Sequence, residues 1–268
     1  MLPDSQSAGI HSLLSSINNL EITPILLVAL ACGFLGNVIT NLSGYLIQKK
    51  ESPMTRALSM INSSGYNIGT FTLPFVQSFF PSNLIGYVCL FDTGNALMCL
   101  GGTYSAASTV VANEEKQSFK TVAKKLFSSI PFDVYLLIFV LALFKILIPQ
   151  PILSMASFIG AGNGFLAMFM IGLLLEVKIN PSEMKIVLKT LLIRVLFGAI
   201  LMSIVYFIVP IPMLAKKIVV LAMAAPITTV SAVFSKNIGY HRDASAISSS
   251  LSIIISIAVL VVLIIMFE

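Results

Sequence analysis

Eight long apolar runs dominate the chain, at about 24–48, 56–80, 84–112, 131–148, 152–176, 186–209, 218–235 and 244–267, each bounded by charge, proline or both. Roughly 20 consecutive apolar residues are what a bilayer's hydrocarbon layer asks of a spanning helix. Runs this long, without alternation of polar and apolar residues, predict helices rather than strands, because only a helix satisfies every backbone group within its own segment. Of the 268 residues, 57% are hydrophobic and only 10% charged, and the mean hydropathy is +0.98. Soluble domains carry about 25% charged residues, so composition excludes a water-soluble enzyme, a disordered regulator and a disulfide-stapled secreted domain. The expectation is an all-α, polytopic, integral membrane protein of eight transmembrane helices, surrounded by lipid. Cys32, Cys89 and Cys99 stand in apolar stretches without metal spacing and read as small core residues. His11 and His241 have no second ligand in register, so neither a metal nor another cofactor is expected. Residues 1–23 open polar and carry no basic stretch ahead of an apolar one, unlike a signal peptide.

The net charge of +5 is not a nucleic-acid signature, since charge in such a chain is read loop by loop. Lys49, Lys50 and Arg56 fall in the first loop, Lys116, Lys120, Lys124 and Lys125 in the longest. Lys178, Lys185 and Lys189 fall in a third, and Lys236 and Arg242 in the last. The alternate loops hold only Lys216 and Lys217, while Lys145 and Arg194 lie inside spans. The basic side is expected to be cytoplasmic and both termini external.

Two spans are interrupted. Asn62-Ser63-Ser64-Gly65-Tyr66-Asn67-Ile68-Gly69-Thr70-Phe71-Thr72-Leu73-Pro74 runs through the middle of 56–80, and Ala224-Ala225-Pro226-Ile227-Thr228-Thr229 through the middle of 218–235. Proline removes a helix hydrogen bond and glycine loosens the backbone. Irregular backbone survives in hydrocarbon only where protein or a wet cavity supplies partners. Paired interruptions in corresponding halves point to a transporter site, the alternative being two packed proline kinks. The basic loop 113–130 divides the chain into a first repeat at 24–112 and a second at 131–268. An inverted five-plus-five repeat makes the broken span the fourth of each half, which leaves the first half two spans short. Residues 1–23 are too polar to span and are then expected to be a polar remnant of the second helix, with an extracellular tail or an interfacial helix as the alternatives.

The stretch from Gly65 to Pro74 resembles the asparagine-glycine-leucine-proline region of the auxin efflux carrier family, and Ala224-Ala225-Pro226-Ile227-Thr228-Thr229 resembles that family's matching region in the second half. Leu2-Pro3 resembles the proline of the family's second helix. The resemblance covers essentially residues 24–268. It implies a bile-acid-symporter-like fold of ten spans in two inverted repeats, with the fourth and ninth helices crossing in mid-membrane. It also implies small organic anions as substrates and suits a homodimer. The short central loop favours a microbial member in a bacterial cell membrane.

Among single residues, Asp92 stands out, because a carboxylate inside a span is a functional candidate by default. It is read as a proton-coupling or ion-paired group, or as a neutral acid that only stabilises packing. Asn95, one turn on, shares its face and is a candidate substrate ligand. Asn67, Thr70, Pro74, Pro226, Thr228 and Thr229 form the expected crossing, where half-helix N-termini offer free amides to an anion. A threonine hydroxyl in such a place otherwise returns to its own helix carbonyl. Arg194 is a candidate for anion attraction or for neutralising Asp92, although snorkelling toward the interface is the favoured reading. Lys145 reads as interfacial. Serines 245, 249, 252 and 256, with Ser248 and Ser250 beside them, form a stripe read mainly as close helix packing. Gly160, Gly162 and Gly164 around Asn163 read the same way, with a milder helix break as the alternative. An intramembrane aspartyl protease is disfavoured, because Asp92 has no intramembrane acidic partner and Glu176 sits at a boundary. The expected function is a secondary active transporter, not an enzyme, moving a small organic anion by alternating access. A non-transporting paralogue or membrane scaffold is the alternative.

Overall fold

A computed structural model of the chain describes residues 24–80, 84–112, 146–161 and 181–267, with 137, 140, 141, 144 and 169. The polar segment 1–23, the loop 113–130, most of the run at 131–148 with Lys145, and most of 162–176 with Asn163 and Glu176 lie outside the described residues.

The described chain is all-helical. Helix α1 spans Pro24–Ile47 and α2 spans Pro53–Ser63. The start of α2 is fixed locally: Ser52 caps it through a hydroxyl that accepts the Thr55 amide at 3.2 Å, and Pro53 stands where no helix N–H is needed. After a break come a π-helical turn at Ile68–Thr72 and α3 at Leu73–Phe79. Helix α4 (Ile85–Ala96) runs through a π-helical stretch, Leu97–Thr103, into α5 (Tyr104–Ala112) without losing helical backbone. Helix α6 is Gln150–Ala161. Helix α7 (Pro181–Phe207) begins five residues before the apolar run at 186–209, because Pro181 initiates it and Glu183 suits its first turn. Helices α8 (Met213–Met223) and α9 (Val230–Asn237) flank the second break, and α10 is Ala244–Phe267.

Among the described residues, three helices are long and apolar enough to cross a membrane: Leu27–Ile47 of α1, α7 and α10. Their outward faces are apolar and exposed, with Leu35, Leu46, Leu192, Phe207 and Ile265 all more than half accessible. Their inward faces carry Asn37, Thr40, Asn41, Thr190, Arg194, Ser245, Ser252 and Ser256, all buried. Water sorts side chains the other way round. This inversion, with the helix lengths, makes the chain an integral, multi-pass membrane protein.

Helix α1 packs most closely on α4. A Cβ at Gly33 would stand 2.0 Å from the Phe91 carbonyl oxygen, and one at Gly94 would stand 2.0 Å from that of Leu30. The two backbones are therefore in reciprocal contact, which only small residues permit. Helix α7 packs against α1, α2, α8 and α10, so it borders both interrupted helices.

Polar contacts sort the loops to two ends. At one, Lys189 meets Glu51 at 3.2 Å, and buried Glu183 (1% exposed) accepts from Arg242 at 3.1 Å and from the Tyr240 hydroxyl. Burial and the bond to Glu183 push the Tyr240 phenol above its ordinary range, so it remains a donor at neutral pH. At the other, Lys217 donates to the Phe267 carbonyl near the C-terminus of α10. A cation there complements the helix dipole, which gives one of the two lysines on the sparsely charged side a local role.

Because Gly94 has no space for a methyl group and Gly198 has nothing within 4 Å, their alanine variants should diverge. In thermal unfolding of detergent-purified protein, Gly94→Ala should cost about 1–3 kcal/mol. Gly198→Ala should be neutral or stabilising by up to about 1 kcal/mol.

Candidate site at the crossing of two broken helices

The two interruptions meet. Tyr66 and Ile227 form an isolated antiparallel bridge, and the Asn67 amide donates to the Pro226 carbonyl at 3.0 Å. Gly65 turns the chain out of α2 with φ +78°, a conformation that L side chains rarely adopt. Pro226 closes the second break, since its ring carries no N–H and excludes continuation of α8.

In an antiparallel pair, residues opposite one another alternate between bonding each other and pointing their amides and carbonyls away. With Asn67 bonded to Pro226, Tyr66 and Ile227 are a pair of the second kind, and their outward groups require partners in an apolar layer. Asn95 supplies them for Tyr66: its Oδ1 accepts the Tyr66 amide at 3.0 Å, and its Nδ2 donates to the Tyr66 carbonyl at 2.9 Å. The second Nδ2 proton goes to Asp92 Oδ1 at 2.8 Å, and Oδ1 also accepts from Asn37 at 3.0 Å. An amide side chain has two donors and two acceptor sites, so Asn95 is saturated. Ser252 does the corresponding work for Ile227, accepting its amide at 2.9 Å. Asn37 receives the Gly65 amide and returns a bond to the Gly33 carbonyl at 2.8 Å.

Arg194 stands near the middle of α7 and is 8% exposed. Its Nη1 donates to the Ser63 carbonyl at 3.0 Å, and its Nη2 to Ala225 at 3.0 Å and Pro226 at 3.2 Å. The guanidinium also lies over the Tyr66 ring, 5.1 Å from its centroid. The favoured expectation of snorkelling is therefore corrected. Two helix ends offer unpaired carbonyls deep inside the bundle, and several charge-assisted bonds to them outweigh the interface.

The expected site residues divide accordingly. Asn67 is buried in the bridge, accepts the Thr72 amide on its carbonyl at 3.3 Å, and takes the Thr70 hydroxyl on its side chain. Thr70 thus bonds an asparagine side chain rather than its own helix carbonyl. Thr228 is buried beside Cys99: a Cβ at Gly65 would meet Thr228 Cγ2 at 2.6 Å and Cys99 Sγ at 3.2 Å. Thr70 and Thr229 are exposed, Asp92 is half-buried and Pro74 is buried at the start of α3. The serine stripe is buried except at half-buried Ser249, as expected of close packing, but two of its members also bond the broken helices. Ser245 donates to Asn62 at 2.7 Å, and Ser252 holds Ile227.

Sequence reasoning passed over Asn37 and ranked the inward role of Arg194 below snorkelling, and helical registers carry both signals. Asn37, Thr40, Asn41 and Gly44 share a face of α1, and Glu183, Val187, Thr190, Leu191 and Arg194 share one of α7, opposite Leu188, Leu192 and Leu196. Among the described residues, no three His, Cys, Asp or Glu side chains gather into a metal-binding group. Comparison with known proteins gives no match to a family model, a curated protein or a solved structure.

Ser252→Ala leaves the Ile227 amide buried without an acceptor and should cost about 1–3 kcal/mol. Ser203 is exposed and returns its hydroxyl to Ala199 of its own helix at 2.8 Å, so Ser203→Ala should stay within about 0.5 kcal/mol. Thermal unfolding of the two variants in one detergent tests the contrast.

Proposed function

We propose that this protein is a secondary active transporter that moves a small organic anion across the membrane by alternating access, with the crossing as its substrate site. One observation carries this reading: two broken helices meet as antiparallel extended segments inside an apolar bundle. Half-helices meeting in mid-layer bring backbone dipoles to a charged ligand without fixed side-chain charge. Arg194 engages the carbonyl ends of α2 and α8. The opposite, positive ends, at the π-turn before α3 and at α9, adjoin exposed Thr70 and Thr229.

The finer architecture belongs to the same proposal. A long unbroken helix, a broken one and a further long helical segment occur in that order twice, as α1, α2–α3 and α4–α5, then α7, α8–α9 and α10. We read these as corresponding parts of an incomplete inverted five-plus-five repeat with eight spans, of the auxin-efflux-carrier type. The runs at 131–148 and 152–176 supply the remaining two spans, and the basic loops face the cytoplasm. Half-buried Asp92, bonded to Asn95 one turn away, is the proposed carrier of a coupling proton, because an ionised carboxylate beside the crossing repels an anion.

A non-transporting scaffold is the second reading, favoured by one observation: the polar groups of Asn95 and Arg194 are committed to bonds within the chain itself, Asn95 to Tyr66, Asn37 and Asp92 and Arg194 to backbone carbonyls.

Uptake of a panel of labelled small carboxylic acids into proteoliposomes, with and without a pH gradient, tests both. The transporter reading predicts saturable uptake above protein-free liposomes, enhanced by a gradient in wild type and insensitive to it in Asp92→Asn. A gradient response unchanged in Asp92→Asn would refute the coupling alone, and absence of uptake by folded wild type across the panel would favour the scaffold.

A further inference from the structure

We propose that Arg194 is a positioning residue whose single positive charge caps two opposing helix ends and locks the crossing to α7. The C-termini of α2 and α8 approach each other at the breaks, each ending in carbonyls that their own helices leave unpaired. Both ends carry partial negative charge, so bringing them together in an apolar layer is unfavourable unless a cation lies between them. One guanidinium meets that demand by bonding Ser63 on one side and Ala225 and Pro226 on the other. Its planar fork presents donors in two directions, and its face rests on Tyr66, the residue that forms the bridge.

Position along the chain gives this contact further reach. Arg194 belongs neither to α2 nor to α8 but to the unbroken α7, on the buried face that includes Val187, Thr190 and Leu191. Separating the two breaks, or sliding α7 past either, strips the guanidinium of carbonyl partners and leaves a charge buried without compensation. The crossing and α7 therefore form one unit, and conformational change in this protein takes place around that unit. Arg194 is thereby withdrawn from direct recognition of an anion. This inference rests on the geometry of the crossing and not on the transport reading, and its test needs no substrate.

Cys99 supplies the readout. Its thiol is buried (4% exposed) against Gly65 and Thr228, so alkylation there requires the crossing to open. In a parent with Cys32→Ala and Cys89→Ala, Cys99 is the sole thiol. Its reaction with N-ethylmaleimide is measured in vesicles for three proteins: the parent, Arg194→Lys and Arg194→Met. Lysine keeps the positive charge with three donors on a single nitrogen, while methionine keeps much of the volume without charge. Arg194→Lys should react faster than the parent but several-fold more slowly than Arg194→Met, which should react about tenfold faster than the parent or more. A folded Arg194→Lys beside an Arg194→Met that yields no monodisperse protein supports the same rank order. Protection of Cys99 in Arg194→Met equal to the parent's would overturn the proposal, as would loss of the folded species in both variants.

Discussion

The structure depends on how it provides hydrogen bonds to a backbone that leaves its helices in an apolar layer. Between Ser63 and Ile68, and again between Met223 and Val230, amides and carbonyls lose their helical partners. Each such group left unpaired in hydrocarbon costs several kcal/mol, so two separate breaks would be two separate liabilities. Bringing them together lets each supply part of what the other lacks, through the bond from Asn67 to Pro226. Side chains from four other helices bond further groups of the breaks: Asn37 of α1, Asn95 of α4, Arg194 of α7 and Ser252 of α10. The polar side chains around the crossing complete two pieces of irregular chain.

That requirement accounts for features that otherwise look unrelated. Glycines at 33 and 94 bring α1 and α4 into backbone contact, which lets Asn37 and Asn95 reach the crossing together. The π-helical stretch after α4 brings Thr103 to within 3.2 Å of the Ser64 hydroxyl at the end of α2, and leaves Cys99 against Gly65. Serines on α10 pack closely and act as hydrogen-bonding partners at the same positions. The apolar outer faces of α1, α7 and α10 complete the inversion that a lipid solvent imposes.

Much of this arrangement is legible in the amino-acid order. Helices α1 and α10 fall within about a residue of their apolar runs, because run length and bounding polar residues are one-dimensional signals. Both breaks are visible as Gly65 and Pro226, whose backbone constraints are intrinsic to the residue. What the sequence leaves open is partnership. A buried arginine and a snorkelling one look alike in a linear scan, since the difference lies in whether carbonyls from two distant segments converge on it. Asn95 reads as a substrate ligand by its neighbourhood with Asp92, yet all four of its bonds go to the chain itself, and three of those partners lie on other helices or on the break. Asn37 shares a polar helix face with Thr40 and Asn41, but that register alone does not say which distant backbone groups the face meets. Its significance appears only once the helix face that includes Thr40 and Asn41 is aligned against α4.

The central claim is that the two breaks form one antiparallel crossing, and a disulfide tests it most directly. Opposed residues of a non-hydrogen-bonded antiparallel pair stand about 4.5 Å apart at Cα, within the span a disulfide bridges. Tyr66→Cys with Ile227→Cys, in a chain whose three natural cysteines are replaced by alanine, should form an intramolecular disulfide under mild oxidation in the membrane. Each single variant should give none. Free thiols at both positions after oxidation, in protein that retains the detergent-solubilised size of the parent, would contradict the crossing.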